Sequence, residues 1–454
     1  MPAREDLFIL STLDPAPPTG FSDDALGRST MRKVALRLLP FLLLLYICNL
    51  VDRGNVGFTK KKMQADLQMT DAVYGSAVGM FYLGYLLFEV PSNLILRRTG
   101  ARVWIARIMV TWGLVSGAEM LARGFWSFSI LRILLGIAEA GFFPGIIYYL
   151  TYWFPARERT KAVASFMAAN AVGGMISNSL SGVIMQNFDN VWGLHGWQWV
   201  FLLESIPSVV LGVYVLFYLT DRPSQAHWLA DDERTWLCER MDREAKHREQ
   251  RHGADFRQAM TDTRVWFLIL LYATVAYSSN SGSLYVPELI QNRFPELNDS
   301  KRGLLASVPS LCALAGMLIN AAWSDRTRQH RRHVAGAALI ASLGWGLAAF
   351  SSSPLPGLIG LCLAMMGMMS MLPPFWSLPT SFLSGAAAAG GIALINSVAN
   401  IGGAVGPGTI GKIHEFDRTG SYSVALSTLA GVMFVGAILA LFAPHDPTAG
   451  SEGA

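Results

Sequence analysis

The sequence predicts an all-α integral membrane protein with twelve transmembrane helices in two six-helix halves, and three observations carry that prediction. Of its 454 residues, 52% are hydrophobic and only 15% charged, a balance that ordinary soluble domains do not show. The apolar residues fall into about twelve runs, each long enough to cross a hydrocarbon layer roughly 30 Å thick. One long hydrophilic stretch, residues 220–263, divides those runs six and six.

In order, the runs are 35–58, 72–96, 103–122, 127–152, 160–186 and 198–219, then 264–290, 303–324, 333–352, 356–382, 388–411 and 421–443. The chain therefore reads as a tail (1–34), a first half (35–219), a linker (220–263), a second half (264–443) and a short tail (444–454). The first 30 residues are polar and Pro-rich. They lack a short apolar core followed by a small-residue cleavage site, so the first span itself reads as the targeting signal. The centre of the linker, DDERTWLCERMDREAKHREQRH, alternates in charge and predicts a solvated helix lying on the membrane face. Lys and Arg gather in the first tail, in the linker and in the loops after the second, fourth and eighth spans. That bias places both termini and the linker in the cytoplasm. Lys60, Lys61 and Lys62 run against it on the opposite side.

Composition also excludes several chemistries. Cys48, Cys312 and Cys362 lie inside spans and Cys238 in the linker, too scattered for a disulfide framework or a metal site, and read as small packing residues. The eight histidines form no ligand-spaced pair on a helix face, which argues against a membrane metalloenzyme. No enzyme activity, nucleic-acid partner, metal or cofactor is expected.

Ionisable residues inside the apolar runs are the informative exceptions, because an ionised side chain at mid-bilayer costs about 2.5–3.5 kcal/mol and needs a partner, a cavity or a function. The fourth span, LRILLGIAEAGFFPGIIYY, holds Arg132 and Glu139 seven residues apart, so both project from nearly one helix face, beside Gly136. The first span, in YICNLVDRGNVGF, places Asn49 and Arg53 one turn apart, with Tyr46 further back on the Arg53 face and Asp52 about 100° away. In the second span Tyr82, Tyr85 and Glu89 line one face. The fifth carries Asn170 and a row of small residues that lets helices approach closely. The second half offers hydroxyls, amides and aromatics, among them Ser377, Asn396 and Asn400, and no charge at mid-depth. Pro373, Pro374 and Pro379 in the tenth span, and Gly402, Gly403, Gly406, Pro407 and Gly408 in the eleventh, predict broken or kinked helices beside a water-filled path. Two halves, a linker and polar residues at mid-depth describe an alternating-access carrier.

The succession VDRGNVGF, GYLLFEVPSNLILRRTGAR, LRILLGIAEAGFFPG, YWFPARERTKA and FWSLPTSFLSGAAAAGGIALINSVANIGGAVGP resembles the anion:cation symporter family of the major facilitator superfamily, over nearly the whole chain. That family includes proton-coupled permeases for tartrate, sugar acids, phthalate and 4-hydroxyphenylacetate. The resemblance implies a monomeric major facilitator carrier whose partners are a small organic acid, protons as coupling ion and the lipid bilayer. It implies substrate binding by Arg53 and Arg132 and proton coupling by Asp52 and Glu139, the four residues singled out above. It further implies substrate contacts at Tyr85 and Asn170; Tyr46, Tyr82, Ser377, Asn396 and Asn400 are additional candidates from their positions in the spans. NAAWSDRTRQHRR resembles the superfamily's loop signature and implies a gate at Asp325 and Arg326, while Glu89, at one end of its span, reads as a gate or helix cap. The chemistry agrees, since a guanidinium stays charged and offers a planar fork to a carboxylate. Burial favours a neutral acid and a nearby arginine favours the carboxylate, so an arriving anion can move a proton onto Asp52 or Glu139. Importing one negative charge against an inside-negative potential costs about 2.3 kcal/mol per 100 mV, which favours more than one proton. Two alternatives remain: a proton-coupled drug exporter of the same fold, which usually has a Gly-Pro-rich fifth helix, and a membrane sensor.

Overall fold

A computed structural model describes residues 21–155, 158–159, 162–163, 166, 169–251, 260–380, 385–417 and 421–444. The expected contacts at Asn170 lie outside this description as far as its side chain is concerned. The described residues form α1 (Phe21–Leu67), α2 (Asp71–Thr99), α3 (Ala101–Ala118), α4 (Phe125–Glu139), α5 (Phe142–Trp153), α6 (Ala169–Asn187) and α7 (Gly196–Tyr218). After α8 (Asp231–Arg251) in the linker come α9 (Thr263–Arg293), α10 (Asp299–Thr327), α11 (His330–Phe350), α12 (Pro354–Thr380), α13 (Gly385–Phe416) and α14 (Ser423–Phe442). With α4 and α5 counted as one interrupted span, these are the twelve spans and the linker helix. Among the described residues, seven spans are long and apolar enough on their own to cross a membrane; α2, α3, α6, α9 and α13 pack among them.

Within the halves, α2 packs on α4, α3 on α7, and α11 on both α12 and α14. Between the halves, α1 meets α9, α2 meets α13 and α6 meets α10. In span numbers the last two contacts are 2 with 11 and 5 with 8. A shift of six converts one into the other, the pseudo-twofold expected of a carrier built from two related halves.

The break in the fourth span falls at Ala140 and Gly141. Gly141 has φ 88°, the left-handed region that glycine enters without steric cost, and α5 restarts immediately after it. Glu139 thus ends one helix segment at mid-span. The tenth and eleventh spans do the opposite of what their sequence predicts: α12 stays helical through Pro373 and Pro374, and α13 through Gly402 to Gly408. The α13 glycines serve close packing instead. A Cβ on Gly403 would stand 2.4 Å from the Asn280 amide of α9.

The linker helix also departs from a solvated reading. Leu237 and Met241, one turn apart on α8, are buried in a cluster with Val34 and Leu38 of α1, and Lys33 pairs with Glu233 at 2.7 Å. The alternating charges cover only its outer faces.

Lys60, Lys61 and Lys62 acquire a physical account on the side opposite the linker. Lys60 is fully buried, ion-paired with Asp71 of α2 and Glu288 of α9, with its ammonium 4.6 Å from the Tyr285 ring centroid. Lys61 donates to Asn292 Oδ1 at 2.8 Å and Lys62 pairs with Asp299 at 2.8 Å. Each of the three crosses from the first half to the second. Asp71 is also bonded to His414, to Gln64 at 2.9 Å and to the Tyr422 hydroxyl at 3.1 Å, and Glu415 accepts from the Ala72 N–H at 2.7 Å. The far side is therefore held shut by a buried ionic latch.

Candidate functional site

The site is built where α1, α2 and α4 meet. Gly136 allows this, because a Cβ there would lie 2.0 Å from the Phe81 carbonyl, and one on Gly84 would lie 2.3 Å from the Ile133 carbonyl. The backbones of α2 and α4 touch at these two points. Gly136→Ala must push them apart, a small-to-large change that costs about 1–3 kcal/mol. The expected result is a lower thermal unfolding midpoint and loss of transport, measured by a thiol-reactive dye melt and by uptake.

At the end of α4, Arg53 of α1 meets Glu139. The Arg53 Nε and Nη2 both reach Glu139 Oε1, while Glu139 Oε2 has no hydrogen-bond partner among the described residues. Glu139 is 1% exposed, but Arg53, deep within the bundle, keeps 34% of its side chain open, as a residue lining an internal cavity does. Its guanidinium lies 5.0 Å from the Phe81 ring centroid and 5.3 Å from that of Tyr85. Arg132 approaches the same ring, 5.1 Å from the Phe81 centroid. It is 3% exposed and paired with Glu119 at 3.3 Å. In this conformation, then, Arg53 is the open guanidinium and Arg132 the enclosed one.

Asp52 points behind α1, away from both arginines. It accepts from Trp112 Nε1 at 2.7 Å, Ser116 Oγ at 3.0 Å and Ser208 Oγ at 2.9 Å. Three neutral donors, contributed by α3 and α7, satisfy its two oxygens without a cation.

The other predicted residues spread along the interface of the halves. Tyr82 donates to Asn280 Oδ1 of the second half. Glu89 accepts from Ser397 of α13 at 3.3 Å, so it bridges the halves. Tyr46 is stacked on Phe166, with centroids 4.5 Å apart. Ser377 donates to the Pro373 carbonyl at 3.4 Å within α12, directly after an aromatic cluster in which Tyr272 stacks on Phe375 at 4.9 Å and meets Trp376 edge-on at 5.0 Å. Asn396 and Asn400, one turn apart on α13, are half-buried. Asp325 and Arg326 are exposed at the linker end of α10, where Arg328 caps the helix in the left-handed region. They are remote from the Arg53–Glu139 pair.

Two further buried carboxyls belong to this half and escaped the sequence reading: Glu119, the partner of Arg132, and Glu204 of α7. The signal that finds them is the one that found Glu139, an acidic residue inside an apolar run. Phe81, which both guanidiniums approach, carries no sequence signal, because a phenylalanine in a membrane helix is ordinary.

Comparison with known proteins agrees with this architecture. The family model described as Major Facilitator Superfamily matches residues 42–407. A protein of Agrobacterium vitis named "Putative tartrate transporter" is 45% identical over 411 residues, covering 90% of this chain and 94% of that one. The "Quinolone resistance transporter" of Acinetobacter baumannii is 38% identical over 412 residues, 91% of this chain and 94% of that one. Among solved structures, the inward-open xylose transporter XylE from E. coli superimposes with a TM-score of 0.73 at 15% identity, covering 91% of this chain and 97% of its own, a likeness of fold. A six-plus-six bundle, matching inter-half contacts and these relatives lead to one assignment: the chain belongs to the major facilitator superfamily and is a multi-pass membrane transporter.

Proposed function

We propose that the protein imports an organic carboxylate together with protons by alternating access, across a bacterial inner membrane with the linker and both termini in the cytoplasm. The observation that carries this reading is the Arg53–Glu139 pair, a guanidinium fork facing open space but occupied on its inner side by a protein carboxylate. A substrate carboxylate competes for that fork, since Arg presents two parallel N–H donors to such a group. When it takes over, Glu139 is left buried and without a cation, and a buried unpaired carboxylate is costly enough that it takes up a proton. Anion arrival and proton uptake are thereby one event. Asp52 serves as a second proton acceptor behind α1. Arg132 becomes the second arm on the substrate once Glu119 releases it.

Tyr46, Tyr82, Tyr85, Asn170, Ser377, Asn396 and Asn400 shape the site around the acid, and Tyr272 and Trp376 suit a ring or the edge of a hydroxy acid. Glu89 closes the path toward the linker side, and Asp325 and Arg326 form the gate at that end. The tartrate-related name of a 45% identical relative supports a hydroxydicarboxylate among the substrates. The name of the quinolone resistance relative favours a second reading, proton-coupled drug export by the same fold.

Liposomes holding the purified protein and a pH dye separate the two. Acidification of the interior on adding tartrate-like, sugar or aromatic acids is the expected result. If no acid moves protons while a cationic drug drives them outward, the import reading is wrong.

A further inference from the structure

Glu204 has no place in the exchange at Arg53, yet it is 2% exposed in the middle of the first half. Its Oε1 accepts from Ser181 Oγ of α6 at 2.7 Å, and among the described residues none makes a well-formed hydrogen bond to its Oε2. The buried amide of Asn55 stands beside it, within reach of its carboxyl group. Asn55 lies three residues after Asp52 on α1, and Ser208 lies four residues after Glu204 on α7, so each pair shares a helix face. Ser208 Oγ donates to Asp52 Oδ2 at 2.9 Å. The two helices therefore place Glu204 and Asp52 one turn apart along a common polar seam. The groups facing it are Asp52 and Asn55 from α1, Ser181 from α6, and Trp112 and Ser116 of α3 through Asp52. Among the described residues, no Lys, Arg or His forms an ion pair with either acid, because Arg53 is engaged by Glu139 and Arg132 by Glu119.

The donor geometry distinguishes the two acids. Asp52 has three donors and suits the acceptor-only carboxylate; Glu204 has Ser181 as its one well-formed donor and beside it the Asn55 amide, whose carbonyl oxygen can accept, and suits a carboxyl that holds its own proton. Just outward of Glu204, Trp199 and Val200 of α7 form a compact apolar cluster with Phe58, Ile184 and Met185. This plug stands between Glu204 and the far face.

We propose that Glu204 is a proton-carrying residue that is loaded from the far side when this plug moves and exchanges its proton with Asp52 along the Ser208 face. The O–H bond breaks at Glu204 Oε2 and a new one forms at Asp52, leaving the negative charge on Glu204 until it is reloaded. The inference rests on the proton symport reading above.

The test counts charge per substrate. Uptake into proteoliposomes is measured without a pH gradient under an imposed inside-negative potential of about 100 mV, at which one charge changes accumulation about 50-fold. Glu204→Gln keeps the size of the side chain, and is expected to accumulate about 50-fold less than wild type while substrate counterflow continues. Glu204→Asp, which retains the acid, is expected to restore the response. Wild-type accumulation by Glu204→Gln, in a protein whose wild type is proton-driven, overturns the inference and leaves symport standing. A wild type insensitive to protons overturns the symport reading itself. If Glu204→Gln does not fold, Ser208→Ala carries the test: at least a tenfold loss of potential-driven uptake with counterflow intact supports the route, and unchanged uptake overturns it.

Discussion

Replacing Lys60 by methionine is expected to shift the protein toward a state open on the far side by at least 100-fold. Lys60 is fully buried and neutralises Asp71 of the first half and Glu288 of the second at the same time. Removing one member of a buried ionic group leaves the others uncompensated, typically at a cost of 3–5 kcal/mol. Here that cost falls only on the closed far side, because separating the halves returns both carboxylates to water. The Asp71 carboxyl fixes the pH dependence. Its burial acts to raise it, but the hydrogen bond with His414 and the charge and hydrogen bond of Lys60 outweigh that and hold it well below the ordinary carboxylate range. An acid depressed in the closed state stabilises that state above its ordinary value of about 3.9 and loses the contribution only as pH falls through the depressed value. The contribution of Asp71 is therefore constant between about pH 5 and 8, and Lys60→Met is expected to open the far side at every pH in that window. Spin labels on Trp192→Cys and Phe416→Cys, exposed far-side positions of the two halves, measure it. A new, longer-distance population in Lys60→Met is expected, and an unchanged distribution would rule out the latch.

The fold was legible because a membrane span is specified by length and apolarity alone, and the residues that count are local in sequence. The residue types of the site were legible for a related reason: Arg53, Glu139, Arg132 and Asp52 are conspicuous wherever hydrocarbon surrounds them. Their pairing was not. Arg132 and Glu139 share a helix face, yet they have different partners: Arg53 of α1 reaches Glu139 at the end of α4, and Arg132 lies beside Glu119. Such pairing depends on which helices adjoin, information spread over the whole chain. The lysine triplet was opaque for the same reason, since its partners Glu288, Asn292 and Asp299 lie more than 200 residues away in sequence. Pro373 and Pro374 misled in the other direction. A proline interrupts one backbone hydrogen bond, and the surrounding helices of α12 restrain the chain enough to keep it helical.

The second large effect concerns Glu139. Glu139→Gln keeps a hydrogen-bonding group opposite Arg53 but removes both the charge and the exchangeable proton. Arg53 is then free of its intramolecular competitor, so the acid still binds, while proton-driven accumulation is expected to fall at least 100-fold. The most direct measurement is proton uptake from weakly buffered solution when the transported acid is added to purified protein. The wild type is expected to take up about one proton per bound acid as Glu139 is displaced from Arg53, and Glu139→Gln is expected to bind the acid without that proton. Equal proton uptake by the two proteins would contradict the exchange of carboxylates at Arg53.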